Sequence, residues 1–350
     1  MDFLKNYFSY IKGLIPQHSS ECSIGLDIGP TECKMAVVKS QGEKIFQLLD
    51  FAIEPVISGH IVETLRQILK RVQCPYDSVY SAVSGRGTLI RYIPMPRMSS
   101  EDLQRSFEIE MDKYFPFPRD QIYADFYILN PHEKTMQMAV MAAACRREII
   151  EERIKLLTEL GLKTYFIGIN PVALANTFNI FHSEKKIRDS AVALMDMGES
   201  VSTLTIFLGE QPRFTRDIFI GGRDFTKKIS QRINLSFEEA EALKNNPHER
   251  LSQVIEAYED VVRHMVHEMK LSLDYFSTEY NQDVSVLFLT GGASLLQGLT
   301  DILQKVLEIQ VSLWDPLEGL KIDAVISKKL QRQDSFKLGV ALGLALYDYD

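Results

Sequence analysis

The chain holds 350 residues, 45% hydrophobic, 25% charged and 10% aromatic, which is enough apolar mass for a sizeable core and enough length for two domains, and excludes a disordered or fibrous chain. With 39 Lys and Arg against 47 Asp and Glu, the formal charge of −8 argues against a protein whose main task is to coat nucleic acid phosphates. The four cysteines, Cys22, Cys33, Cys74 and Cys145, show neither CxxC spacing nor a nearby histidine, so no disulfide scaffold and no zinc site is expected and a reducing compartment fits.

Residues 2–15 place Phe3, Leu4, Tyr7, Phe8, Ile11, Leu14 and Ile15 at helical spacing opposite Lys5, Ser9 and Lys12, and a polar linker follows through Ser20. This amphipathic helix packs on its own protein, on a partner or on a membrane surface. No run approaches the roughly 20 apolar residues of a transmembrane helix, and no secretory leader is visible, so the chain is expected to stay inside the cell. From Ser23 the pattern turns to strands, SIGLDIG, CKMAVVKS and KIFQLLDFAI, followed by a helix over 60–73 and a strand over 78–83. Ser99 with Asp102 caps a helix that YFPFP stops near Phe115, opening an α+β module that continues with strands over 121–129 and 135–144 and a helix over 146–160. After a helix over 171–182 and the polar run HSEKKIRDS, AVALMDMG repeats the strand, turn and strand order of residues 23–39.

The repeat carries the chemistry. Asp27-Ile28-Gly29-Pro30-Thr31 leads to Lys34, and Asp196-Met197-Gly198-Glu199-Ser200 leads to Ser202 and Thr203. A phosphate-binding hairpin needs a glycine so that backbone N–H groups approach the oxygens, and small hydroxyls to add donors. Either DxG alone reads as an ordinary hairpin turn; the duplication favours one shared ligand, with Asp27 and Asp196 holding Mg²⁺ through its waters. The apolar strand Val286–Thr290 runs into Gly291-Gly292-Ala293-Ser294, a side-chain-free surface for an adenine or ribose, or else a plain strand-to-helix turn. His264 and His267 lack a third ligand and an HExxH pattern, and read as a solvated helix face.

In this order, DxG at 27, DxG at 196 and GG at 291, the chain resembles the actin-like ATPase superfold. GLDIGPTECKMAVV, MPRMSSEDLQRSFEIEMDKYFPFP, MDMGESVSTLTIFLGEQPRFTRDIFIGGRDFTKKI, SFEEAEALKNN and LFLTGGASLLQGL are similar, more specifically, to the PilM family of type IV pilus assembly proteins, itself FtsA-like, over nearly residues 22–346. The resemblance implies an α/β duplicated ribonuclease H-like fold of two lobes with a small α+β insert. The implied boundaries are an N-terminal helix and linker at 1–20, a first lobe at 21–87 and 166–188, the insert at 88–165, a second lobe at 189–236 and 282–350, and a helical subdomain at 237–281. It implies ATP with Mg²⁺, with Asp27, Gly29, Thr31 and Lys34 in the first phosphate loop and Asp196, Gly198, Ser200, Ser202 and Thr203 in the second. Gly291, Gly292 and Ser294 would face the adenosine, with Gly222, Glu241, Lys244 and Gly339 beside it; a surface ion pair is the competing account of Glu241 and Lys244.

Pro30 stands where relatives usually carry Ser or Thr, removing one N–H and one hydroxyl, and no residue is placed to position an attacking water, so slow hydrolysis at most is expected. The implied function is an ATP-binding assembly platform of a type IV pilus or related machine. It would be cytoplasmic and peripheral at the inner membrane, and would hold the cytoplasmic tail of a PilN-like protein between the first lobe and the insert. Homo-oligomerisation stays open and nucleic acid is not an expected partner. The rivals are an FtsA-like membrane-associated filament protein and, ranked behind it, a small-molecule kinase of the same superfold.

Overall fold

Near-continuous apolar runs become strands buried on both faces, and the turns between them fix the order in which those strands meet. A computed structural model describes residues 22–42, 45–57, 59–76, 78–131, 135–181 and 190–347; the amphipathic segment expected over 2–15 and most of the polar run from His182 lie outside the described residues. The first lobe opens as an antiparallel meander, Ser23–Ile28 (β1), Glu32–Ser40 (β2) and Phe46–Pro55 (β3). Helix Ile61–Leu69 (α1) then returns the chain so that Ser78–Val83 (β4) lies parallel to β1.

Between β4 and the rest of this lobe sits the insert. Thr88–Pro96 (β5), helix Ser100–Tyr114 (α2), Ile122–Ile128 (β6) and Gln137–Arg146 (β7) give a three-stranded antiparallel sheet in the order β5-β7-β6. Ser99 caps α2, its hydroxyl accepting the Asp102 N–H at 3.1 Å. Phe115 is buried, Phe107 stacks on Tyr114, and Phe117 packs against the same cluster, so the aromatic-proline strip serves the insert's own core. The insert is narrower than 88–165. Helix Arg147–Glu159 (α3) buries Leu157 in the first-lobe core, and Lys163–Ile169 (β8) pairs with β4 from Lys163 onward.

Helix Asn170–Phe181 (α4) leads to the second lobe, where Ala191–Met197 (β9), Ser202–Leu208 (β10) and Gln211–Ile218 (β11) repeat the meander. Helices Gly222–Ile233 (α5), Phe237–Asn245 (α6) and Leu251–Tyr280 (α7) cover it, and Val284–Thr290 (β12) lies parallel to β9 as β4 does to β1. Helix Leu299–Leu307 (α8) and Gln310–Leu313 (β13) complete the five-stranded sheet β11-β10-β9-β12-β13, whose core order matches the β3-β2-β1-β4-β8 of the first lobe. Lys321–Ile322 (β14) returns to pair with β3, so part of the segment assigned to the second lobe extends the first-lobe sheet.

Helices Ala324–Lys329 (α9), Arg332–Lys337 (α10) and Gly339–Ala345 (α11) close the chain. Together α11 and α4 fill the space between the two sheets, where Ala173, Leu174 and Phe178 meet Tyr80, Leu194, Phe207, Trp314 and Leu344. Cys22 and Cys74 are joined by a disulfide with Cα atoms 6.7 Å apart. The expectation of no pairing is thereby corrected: the fold brings the start of β1 beside the loop after α1, across a sequence separation of 52 that carries no motif.

Candidate functional site

Both hairpins have the same register. Asp27 stands opposite Lys34 and Asp196 opposite Thr203, and each turn closes with the glycine N–H donating three residues on, Gly29 to the Glu32 carbonyl at 3.0 Å and Gly198 to the Val201 carbonyl at 3.1 Å. A Cβ at Gly198 would stand 2.8 Å from that carbonyl oxygen, so the turn is built for glycine.

The fold brings the two hairpins together. Lys34 Nζ donates to Asp27 Oδ2 at 3.0 Å and lies within electrostatic range of Asp196; burial pulls its pKa down, and the carboxylates of Asp27, Glu32 and Asp196 together leave it raised. Among the described residues Asp196 has no such direct partner. Burial, with Asp27 and Asp217 adding to it and Lys34 opposing, pushes its pKa up to about 6. Asp217 itself accepts the Thr203 hydroxyl at 2.7 Å.

Three contributors escape sequence reading. Arg153 on α3 reaches across β4 to the first hairpin, donating to the Ile28 carbonyl at 3.2 Å, the Ser81 hydroxyl at 2.8 Å and the Ala82 carbonyl at 2.9 Å. Asn170, at the start of α4, donates to Asp27 Oδ1 at 3.5 Å while its own Oδ1 is buried with no donor to it among the described residues. Glu32, in the first turn, takes an ion pair from Lys337 at 2.6 Å. None lies in a local pattern; they are long-range neighbours made by the fold.

The second hairpin is backed by Gly221 and Gly222. Gly222 N–H donates to the Gly198 carbonyl at 2.9 Å and Arg223 N–H to the Glu199 carbonyl at 2.8 Å; a Cβ at Gly221 would lie 2.4 Å from that same Glu199 oxygen. Beneath this turn Lys244 is buried, donating to the Gly222 carbonyl at 3.2 Å, the Thr226 hydroxyl at 2.7 Å and Glu241 Oε2 at 2.7 Å. Glu241 and Lys244 are therefore more than the surface ion pair that their spacing allows. Burial raises the pKa of Glu199 beside them, against the pull of Lys244. Gly291 packs on the carboxylate strand end, where a Cβ would meet Asp196 Oδ1 at 2.4 Å and the Met197 backbone N at 2.6 Å.

Four expected ligand residues are otherwise engaged. Ser202 is fully buried and donates to the Ile220 carbonyl at 2.7 Å, and Ser294 donates to the Gly291 carbonyl at 2.7 Å, so these hydroxyls shape turns. Thr203 is spent on Asp217. Gly339 lies in the helix packing between the sheets, its carbonyl accepting the Thr177 hydroxyl at 2.8 Å and a Cβ there meeting Leu174 at 2.6 Å. Thr31 and Ser200 sit at the turns, Ser200 exposed. His264 is exposed, its Nε2 3.9 Å from Glu268 Oε1.

The donor set fits a hydrated cation with an anionic ligand: two carboxylates from opposite hairpins, one of them held with a raised pKa, a glycine in each hairpin turn and an amide oxygen of Asn170 with no donor to it among the described residues. Among the described residues no cluster of three or more His, Cys, Asp or Glu is arranged for a fully protein-ligated metal. Nor, among them, is any helix long and apolar enough to cross a membrane.

A second concavity of about 580 Å³ lies on the insert, lined by Met111, Arg119, Asp120, Ile122, Tyr123, Ala124 and Arg147. Arg147 belongs to α3 of the first lobe, so the groove lies where lobe and insert meet. Its guanidinium stacks 4.2 Å from the Tyr123 ring centroid, while its Nε is buried with no acceptor.

The family profile described as type IV pilus assembly protein PilM matches residues 25–349. A cell division protein FtsA from Enterococcus faecalis (strain ATCC 700802 / V583) is 27% identical over 209 residues, 52% of this chain and 46% of that protein. The chain spans about half the length of the curated relatives it matches. Among solved structures, a chain of a "PilM-PilN type IV pilus biogenesis complex" superposes with a TM-score of 0.81 at 24% identity, covering 94% of this chain and 98% of that one. MreB 5 of Spiroplasma citri bound to AMPPNP superposes at 0.50 and 10% identity, covering 95% and 97%. These likenesses show the two-lobed actin-like fold.

Proposed function

We propose, for a chain that belongs to the PilM family of type IV pilus assembly proteins, that it is an ATP-binding platform which holds the cytoplasmic tail of a PilN-like membrane protein at the inner membrane. The observation that carries the nucleotide half is the convergence of Asp27, Lys34 and Asp196 from mirrored hairpins of opposite lobes. Mg²⁺ would supply charge neutralisation for the phosphates, with Asp27 and Asp196 holding its waters and the N–H groups of the glycine turns facing the oxygens. Lys34 shields the two carboxylates from each other. Among the described residues no group is assigned to activate a water, and the output proposed is binding and lobe geometry.

The partner half rests on the groove between α3 and the insert. It joins an aromatic wall, Tyr123, to a guanidinium whose Nε lacks an acceptor, a combination that suits a peptide bringing a backbone carbonyl and an apolar side chain. A fluorescent peptide of a PilN-like cytoplasmic tail tests it by anisotropy. Tyr123→Ala with Arg147→Glu is expected to weaken binding at least tenfold while Asp196→Ala leaves it within about twofold. Unchanged affinity in the groove variant would move the partner elsewhere.

A further inference from the structure

We propose that the Lys337–Glu32 ion pair is a strap across the cleft, which a nucleotide must displace; the proposal rests on the nucleotide reading of that cleft. Lys337 is the last residue of α10, and the helix is pinned to the second lobe: the Phe336 carbonyl accepts the Gly291 N–H at 3.0 Å and the Thr290 hydroxyl at 3.4 Å. The lysine stem lies over Gly292, where a Cβ would stand 3.2 Å from Lys337 Cε. Its ammonium then crosses to Glu32 Oε1 at 2.6 Å, on the first hairpin of the other lobe and in the residue whose carbonyl closes the Gly29 turn.

One side chain therefore does two things at once. It covers the face that Gly292 leaves bare, and it ties the second lobe to the phosphate turn of the first. A base or ribose laid on that face needs the volume the lysine stem occupies, so ligand and strap exclude each other. The pair is weak enough to be displaced: its side chains are 26% and 31% exposed, and partly solvated ion pairs of this kind shift an equilibrium about two- to fivefold. It therefore tunes occupancy without barring it.

Charge alone and the strap give opposite signs for one substitution. Removing the Lys337 charge should weaken an anionic ligand by electrostatics, whereas removing a strap should strengthen it. Association and dissociation of a fluorescent mant-ATP with Mg²⁺ would be followed by stopped flow for the full chain, with melting curves to confirm that each variant folds. Lys337→Met is expected to bind about two- to fivefold faster and tighter than the wild type, Glu32→Gln likewise, and the charge swap Glu32→Lys with Lys337→Glu to return to wild-type behaviour because it rebuilds the pair. Slower or weaker binding by Lys337→Met overturns the strap and makes the lysine a direct ligand contact; unchanged binding overturns it as well. If wild type and every variant take up no mant-ATP, the nucleotide reading itself falls and the strap with it.

Discussion

Asp196 carries its charge at a cost set by burial. Its pKa is raised from 3.8 to about 6 by burial, with Lys34 opposing and neighbouring carboxylates adding to it, so stability is lost as pH rises from about 4 through about 6 and the cost of the buried charge is fully present above that. A Mg-bound nucleotide uses the ionised form. Its affinity is therefore expected to fall as pH drops through about 6, by up to tenfold per unit, and to hold steady above 7. Isothermal titration of Mg–ATP across pH 5–8, taken as the ratio of wild type to Asp196→Asn, cancels the ligand's own titration; a ratio flat across that range would show that Asp196 does not act as the ionised ligand. At this scale the two aspartates are legible in sequence because the duplicated DxG states them twice. Arg153, Asn170 and the Glu32–Lys337 pair are not: the last two residues stand 305 apart, and only the closed fold makes them neighbours.

Among the elements, α11 has the least freedom. A Cβ on Gly343 would lie 1.8 Å from the Ala173 carbonyl oxygen of α4, and one on Gly25 of β1 would lie 1.9 Å from the Ala341 oxygen. Glycine on both partners lets the helix pass between strand and helix at backbone contact. Gly343→Ala is expected to destabilise the protein by about 3 kcal/mol or more, since the clash is with backbone and cannot be relieved by a rotamer change. A thermal melt within 2 °C of the wild type would contradict this packing. The strand-turn-strand repeat and the Ser99 cap follow from local chemistry and read directly from sequence. The insert's C-terminal edge does not, because α3 and β8 look like a continuation of the α+β module until their partners, the Leu157 core and β4, are known. The Glu241–Lys244 spacing likewise fits an exposed helix face, and only the burial of Lys244 under Gly222 shows otherwise.

At the scale of the molecule, two sheets of matching order enclose α4 and α11, and the proposed nucleotide site lies where Asp27 and Asp196, on the first strands of the two sheets, come within electrostatic range. The insert is fastened to the second lobe as well as to the first: Tyr92 of β5 hydrogen-bonds Thr215 of β11 at 2.9 Å, and Gln211 donates to the Leu129 carbonyl at 2.7 Å. A change in lobe angle on nucleotide binding would thus be felt where the partner peptide is proposed to sit. The duplicated fold could be anticipated because its motifs recur in the same order, whereas these cross-lobe fastenings have no sequence signature. The central claim is that both hairpins grip one Mg-bound nucleotide. Fluorescence titration with labelled ATP, in Mg²⁺ and in EDTA, of the wild type, Asp27→Asn and Asp196→Asn tests it most directly. Mg²⁺ is expected to tighten wild-type binding at least tenfold, and either substitution alone to abolish that gain while the fold stays intact. A Mg²⁺ gain that survives in either variant, or a wild type that binds no nucleotide, would contradict it.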